Sequence, residues 1–267
     1  MKKLFFLTLI SILFLPFSFA DVVEYQNDDV GVHVFKIDTN KYGNKIKPIY
    51  SQKLMTTKRL FDTKKFELVV NGGYFDAQNG KSVSNIIINE KSMPDIKDYP
   101  ELYEKLKQDK RLDNVLSRSE LRILEHKNNK KLKFDIARHN DPINKNYKIL
   151  HLLQAGPMLY PDMDLEGEGF IVKNKEGEVT FQAIDILKRR ERTVIGLKGK
   201  WLYIVIFTKD HRLDGNEMRD YMRKNLKVKK AMGLDGGLST SFNYKNISIG
   251  SLEKYQRRVK SFLVVER

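Results

Sequence analysis

The chain is 267 residues long, lacks cysteine, and carries 49 Lys and Arg against 34 Asp and Glu, a formal charge of +15. Disulfide frameworks are excluded, so stability must come from a hydrophobic core of the kind one large domain can bury. The charge favours anionic partners such as nucleic acid, acidic polysaccharide or phosphorylated sugar, although lysines spread along the whole chain equally suit a lysine-rich composition.

The chain opens like an export signal. Lys2 and Lys3 precede an almost unbroken apolar run over residues 4–17, and Ser18, Phe19 and Ala20 supply small residues at the −3 and −1 positions of a cleavage site. The run is shorter than the roughly 20 residues of a spanning helix. These features predict a signal peptide over 1–20, a mature chain beginning at Asp21, and a periplasmic or secreted location; an uncleaved N-terminal anchor is the alternative. No cysteine follows the run to carry a lipid.

Beyond the leader, Val30, Val32, Val34 and residues 35–37 alternate as an early strand. Residues 68–70 form a short buried strand running into Asn71-Gly72-Gly73, and 86–88 form another. Between Pro94 and Arg118, Leu102, Leu106, Leu112 and Leu116 recur at near-helical spacing among charged residues, with Pro100 suited to a helix start. This predicts one or two solvated amphipathic helices, a basic helical insertion near 95–118. Residues 121–124 and 132–136 predict a hairpin, 149–153 a strand leading into Gln154-Ala155-Gly156-Pro157, and 170–172 with 179–181 a second hairpin.

The clearest hairpin joins 193–197 to 201–207 across Lys198-Gly199-Lys200, and its uniformly apolar second arm predicts burial on both faces. A helix follows, with Asp214 and Glu217 at capping-box spacing and Met218, Met222 and Leu226 as its buried stripe. Residues 232–234 are a short strand ending in Asp235-Gly236-Gly237, and 261–265 close the chain as a strand. Strands outnumber helices and short turns join most of them. The expected fold is therefore α+β: a single domain over 21–267, built on a large mixed, mainly antiparallel sheet with flanking helices.

Three glycine-bearing turns follow short apolar strands, in VVNGGYFD (69–76), LLQAGPML (152–159) and MGLDGGLSTS (232–241). Glycines at strand ends let a ligand approach the backbone and leave N–H groups for an anion; each segment also reads as a plain tight turn. In their order, four motifs resemble those of the phosphodiester glycosidase family: Asn71-Gly72-Gly73-Tyr74-Phe75, Gln154-Ala155-Gly156-Pro157, Arg192-Thr193-Val194-Ile195-Gly196, and Leu234-Asp235-Gly236-Gly237 with Ser239. Arg258-Val259 is similar to the family's closing strand, and the resemblance spans about Val69 to Val265. Two departures stand out: Leu238 precedes Ser239 where the family usually has a small residue, and residues 95–118 look inserted.

The resemblance implies a hydrolase that removes a sugar from a phosphodiester. Cleaving the sugar C–O bond expels a phosphate monoester whose last pKa is about 6, so the leaving group needs little protonation and an opposed pair of carboxylates can be dispensed with. Arg192 suits the phosphate as a planar bidentate ligand, or is a surface member of the 188–192 basic cluster. Asp235 suits the role of base or electrostatic stabiliser beside the anomeric carbon, or is a turn-capping residue. The N–H groups of Gly72, Gly73, Gly236 and Gly237 would assist at the phosphate. Asn71 and Gln154 would bond to substrate oxygens and Tyr74 would stack on a sugar face. Gly156, Thr193 and Ser239 complete the expected binding set, with Asp76 and Glu191 as reserve carboxylates.

No metal and no cofactor is expected. His33, His126, His139, His151 and His211 show no ligand-pair spacing, and His151 reads as structural. Asp162, Asp164, Glu166 and Gly167 begin like a calcium loop, yet Lys173 stands where a bidentate acid belongs. No P-loop or dinucleotide fingerprint occurs, and nucleic acid is not an expected partner. The expected function is an exported hydrolase acting on glycosyl phosphodiesters of envelope or extracellular glycans. The alternative is a non-catalytic glycan- or peptidoglycan-binding envelope protein of the same fold.

Overall fold

The computed structural model describes residues 21–251 and 256–267, so the expected signal peptide lies outside the described residues. Strand β1 (Glu24–Asp29) pairs with β2 (Val32–Asp38), whose Val32, Val34, Phe35 and Ile37 are buried. Val30 lies in the turn between them and is exposed. Helix α1 (Thr39–Tyr42), capped by Asp38, leads to β3 (Ile46–Met55), and α2 (Thr57–Phe61) leads to β4 (Phe66–Asn71). Short strands β5 (Ile86–Ile88) and β6 (Lys91–Ser92) precede α3 (Pro100–Gln108) and α4 (Leu112–Leu116). Pro100 stands at the start of α3, where its missing N–H leaves no bond unmade.

The predicted hairpin is β7 (Ser119–His126) with β8 (Leu132–Arg138), followed by β9 (Tyr147–Gln154), β10 (Met158–Tyr160), β11 (Ile171–Lys173) and β12 (Val179–Gln182). Strands β13 (Arg192–Lys198) and β14 (Trp201–Phe207) form the long hairpin. Helix α5 (Gly215–Lys224) opens with the reciprocal capping box of Asp214 and Glu217. The chain ends with β15 (Lys230–Gly233), β16 (Ser241–Tyr244), β17 (Ile247–Gly250) and β18 (Val259–Glu266).

All pairings among these strands are antiparallel. The α+β, mainly antiparallel reading holds, with the strands divided over three larger sheets. Their orders are β1-β2-β14-β13-β15-β10, β17-β16-β4-β18-β3 and β6-β5-β9-β7-β8, with β11-β12 as a separate pair. One apolar cluster joins the three, including Phe35 and Ile204 of the first, Val70 and Leu263 of the second, and Leu121 and Leu153 of the third. Residues 202–207 of β14 are all buried, because β2 and β13 flank the strand and both faces are covered. A smaller cluster of Phe66, Val69, Val259, Phe262 and Val264 fills the other face of the second sheet, against Leu60 and Phe61 of α2.

The helical segment has its own small core of Ile96, Leu106, Leu112 and Val115. Its predicted end does not belong to it. Arg118 is buried, with its guanidinium 4.2 Å from the Phe170 ring and 5.2 Å from the Tyr74 ring, and its Nε donates to the Glu168 carbonyl at 3.1 Å. Arg118 is thus part of the main body, and the helical segment ends before it.

Two of the sheets meet where the sequence motifs cluster. Strand β15 delivers Leu234, whose N–H donates to the Thr193 carbonyl of β13 at 2.8 Å. The next residue, Asp235, donates its N–H to the Gly72 carbonyl beyond β4 at 3.0 Å. Consecutive amides thereby tie the first sheet to the second.

Candidate active site

Asn71 locks this junction. Its Nδ2 donates to the Asp235 carbonyl at 2.6 Å, and its Oδ1 accepts from the Thr193 hydroxyl at 2.7 Å and from the Ser241 N–H at 3.1 Å. Asn71 is completely buried. Both Asn71 and Thr193 therefore brace Asp235; the expectation that they contact substrate is corrected, because their polar atoms are already engaged.

The same holds for the first glycine turn. The Gly72 N–H donates to the Ser261 carbonyl and the Gly73 N–H to the Ser261 hydroxyl, each at 2.9 Å, so neither is available to an anion. Glycine is required there by close approach. A Cβ on Gly72 would stand 2.8 Å from the Ser261 carbonyl carbon, and one on Gly73 would stand 2.5 Å from the Gln154 carbonyl oxygen. Gln154 is a brace too: its Oε1 accepts from the Asn85 N–H at 3.1 Å, and its Nε2 donates to the carbonyls of Leu116 at 2.8 Å and Arg118 at 3.3 Å. Tyr74 donates its hydroxyl to the Gly156 carbonyl at 2.7 Å and packs its ring against Phe170 and Arg118. Its ring borders the cavity as a buried wall and is not free to stack on a sugar.

A cavity of about 620 Å³ opens over Asp235, with Gly236, Gly237 and Ser239 beside it. Asp235 is only 9% exposed; its Oδ1 accepts from the Gly236 N–H at 2.9 Å, and the Ser239 hydroxyl bonds to the same carboxylate. Burial outweighs the pull of Ser239, Gly236, Arg257 and Arg192 and raises the carboxyl from its ordinary 3.8 to about 6. The N–H of Gly237 donates to the Glu191 carbonyl at 2.8 Å, so the second glycine pair shapes the cavity rather than offering it free donors.

Three arginines line the cavity. Arg190 holds Asp185 Oδ2 through Nε at 2.9 Å and Nη2 at 2.6 Å, and Arg212 holds Glu191 Oε1 at 3.1 and 2.7 Å. Arg257 pairs with no carboxylate among the described residues, and its guanidinium lies 5.5 Å from the Phe75 ring. Phe75, Ile184 and the exposed Leu238 also line the cavity.

Arg192 is not on the cavity wall. It is 2% exposed, and its guanidinium donates to four carbonyls: Leu213 at 2.9 Å, Ile184 at 3.2 Å, Asp185 at 2.8 Å and Lys188 at 2.7 Å. The expected phosphate ligand is corrected on this ground, since the fork is filled by main chain. Arg192 stands behind the wall and fixes the loop that carries Ile184 and Asp185. Of the reserve carboxylates, Glu191 reaches the cavity. Asp76 closes its own turn instead, accepting from the Gln78 N–H at 2.8 Å and the Asn79 amide at 2.7 Å.

The sequence reading missed Arg190, Arg212 and Arg257 as cavity residues. The available cues were the basic cluster around Arg192 and the neighbour of Arg258: the side chain of Arg258 is exposed, and the residue before it lines the cavity. His151 is buried and neutral, accepting the Asn89 N–H at 3.2 Å, with burial lowering its pKa to about 4. In the acidic loop, Asp162 and Asp164 face Arg138 at 3.3 and 3.7 Å, and Glu166 pairs with Lys173.

The sequence model of the phosphodiester glycosidase family matches residues 64–266. Among solved structures, the catalytic domain of zebrafish N-acetylglucosamine-1-phosphodiester alpha-N-acetylglucosaminidase, auto-inhibited by its pro-peptide, has 15% identity and a TM-score of 0.64 over 94% of this chain and 85% of that one. A hypothetical protein from Synechocystis has 12% identity and a TM-score of 0.53 over 92% of this chain and 61% of its own. A Burkholderia pseudomallei protein described as exported has 13% identity and a TM-score of 0.54, over 88% and 74%. At these identities the likeness is one of fold. No curated protein sequence matches the chain.

Proposed function

Because the chain belongs to the phosphodiester glycosidase family, we propose that it hydrolyses the sugar C–O bond of a glycosyl phosphodiester at the Asp235 cavity, after export, on envelope or extracellular glycans. The observation that carries this reading is a braced carboxyl, raised to about 6 by burial, opening on a cavity lined by three arginines.

A departing phosphate monoester needs little acid assistance, because its last pKa is about 6. The demands left to the protein are to hold the phosphate and to stabilise the positive charge that develops on the sugar. Arg257 serves the phosphate, being the cavity arginine without a carboxylate partner among the described residues, with Arg190 and Arg212 alongside. Asp235, with its carboxyl raised to about 6, is mostly ionised near pH 7, and acts as base toward water or as the countercharge to the sugar. Asn71, Gly72 and Ser239 hold it in place beforehand, so little reorganisation is needed during reaction.

The test is a panel of synthetic glycosyl phosphodiesters, N-acetylglucosamine among the sugars, assayed for release of phosphate monoester. The wild type should turn over at least one. Asp235→Asn should lose about 10²-fold or more in rate while melting cooperatively. Saturable binding across the panel with no product would instead support the non-catalytic glycan binder.

A further inference from the structure

Arg257 lines the cavity with no carboxylate partner among the described residues, so its place is set by other means. The contact with the Phe75 ring orients the guanidinium but leaves the chain beneath it free to shift. On one side that chain enters β18, whose Val259 is buried. On the other side, one peptide away, stands Gln256.

The Gln256 amide is bonded at both ends. Its Oε1 accepts from the Thr57 hydroxyl at 2.8 Å and from the Lys58 N–H at 2.7 Å, both at the start of α2. Its Nε2 lies 2.9 Å from Asn243 Oδ1, 3.0 Å from the Ile249 carbonyl, 3.2 Å from the Ser248 hydroxyl and 3.5 Å from the Phe242 carbonyl. A main-chain donor at Oε1 and two main-chain acceptors at Nε2 fix which way the amide points. Ordering a glutamine costs much rotamer entropy, and a network of this kind offsets it. The link to β16 ties Gln256 to the site. Ser241 opens β16, and its N–H is held by the same Asn71 amide that holds the Asp235 carbonyl. Asp235 and Arg257 are thereby placed from one strand.

We infer that Gln256 is a positioning residue, which clamps the chain to α2, β16 and β17 and so sets Arg257 at the cavity where the phosphate is to be held. The phosphate-holding part of this role rests on the proposed phosphodiester site; the hold of Gln256 on Arg257 does not.

Asp235 reports the position of Arg257, because that guanidinium is one of the groups that draw its carboxyl down against burial. The other groups that act on the carboxyl, namely Ser239, the Gly236 N–H, Arg192 and Tyr74, are not partners of the Gln256 amide. Carbon-13 NMR titration of Asp235 and calorimetry with methyl phosphate compare the wild type, Gln256→Met, Arg257→Ala and the double variant. Met keeps the side-chain length without its bonds. Each single variant should move the Asp235 midpoint up by about half a pH unit, and the double variant no further than Arg257→Ala alone. Methyl phosphate should bind about tenfold more weakly to each, again with no added loss in the double. A clamp that only ties strands together would lower the melting temperature and leave the midpoint unmoved in Gln256→Met, or add its effect to that of Arg257→Ala. Either result overturns the positioning role. Thr57→Val removes one bond to Oε1 in α2, away from the cavity wall, and should move the midpoint the same way by less. Should Gln256→Met not fold, an unmoved midpoint in Thr57→Val overturns the role instead. Midpoints that shift as stated while Arg257→Ala binds methyl phosphate like the wild type would support the hold on Arg257 and sink only the phosphate reading.

Discussion

Asp235 binds its proton more tightly in the folded chain, at about 6, than at its ordinary 3.8. Between those values the folded state holds more protons than the unfolded one. The stability associated with the neutral carboxyl is therefore fully present below about pH 4 and lost as pH rises through about 6. At most, the buried charge then costs about 3 kcal/mol, from a rise of about two units at 1.36 kcal/mol each. Asp235→Asn removes the ionisation and keeps an acceptor for the Gly236 N–H. It should melt above the wild type near pH 8 and lose that advantage near pH 4. Activity runs the opposite way, with kcat/KM rising through about pH 6 as Asp235 ionises, and thermal melts with a pH–rate profile read both effects. At this scale positions were more legible than roles. Asp235, Gly236, Gly237 and Ser239 do gather at one cavity, whereas Arg192, Asn71, Gln154 and Thr193 turned out to be engaged by main chain or by one another. A guanidinium that forks onto phosphate and one that forks onto carbonyls are the same letter, and only the folded surroundings say which acceptors it meets.

The loop over 184–188 depends on Arg192 in a way that Lys cannot reproduce, because one ammonium cannot span four carbonyls. Arg192→Lys should lose about 2–3 kcal/mol of stability by leaving buried carbonyls unmatched, and amide exchange should quicken selectively in that loop. Exchange spread evenly over the molecule would contradict a local staple. The helical segment makes the converse case. Replacing residues 97–113 by a short Gly/Ser bridge removes side chains that mostly pack on one another, so a single cooperative melt should remain. Arg118→Ala, by contrast, strips a buried cation from Tyr74, Phe170 and the Glu168 carbonyl and should cost about 3 kcal/mol or more. A lost melt in the first variant, or none of the expected loss in the second, would reverse this division. Hairpins and caps were readable because their signals are local: alternation in β7 and β8, apolarity in β14, the Asp214–Glu217 box. Strands β3, β16 and β17 escaped the sequence reading. Their stretches carry Lys47, Pro48, Gln52, Lys53 and Asn243; β3 becomes a strand by pairing with β18 and β16 by pairing with β4, each far away in the chain, and β17 adds to β16 as the edge strand of a hairpin. Pro48 is tolerated because β3 is an edge strand.

On the scale of the whole molecule, the proposed chemistry depends on two sheets being joined at Leu234 and Asp235, so that residues from β4, β13, β15 and β18 converge on the main chain that carries Asp235. The antiparallel α+β character was legible from strand count and short turns; the division into three sheets was not, since it is set by which distant strands pair. Export is a further proposal at this scale. Ser18-Phe19-Ala20 after the apolar run predicts a mature chain starting at Asp21, and N-terminal sequencing of protein recovered outside the cytoplasm checks it. Met1 retained in a membrane fraction would contradict it. The central claim, that water attacks the sugar carbon and the phosphate leaves intact, is tested most directly by isotope position. A glycosyl phosphodiester that the protein cleaves is turned over in ¹⁸O-water, and the released phosphate monoester is weighed by mass spectrometry. A phosphate free of label is expected, because the C–O bond breaks; ¹⁸O in the phosphate would mean that phosphorus was attacked, and would contradict the role given to Asp235 and the arginines.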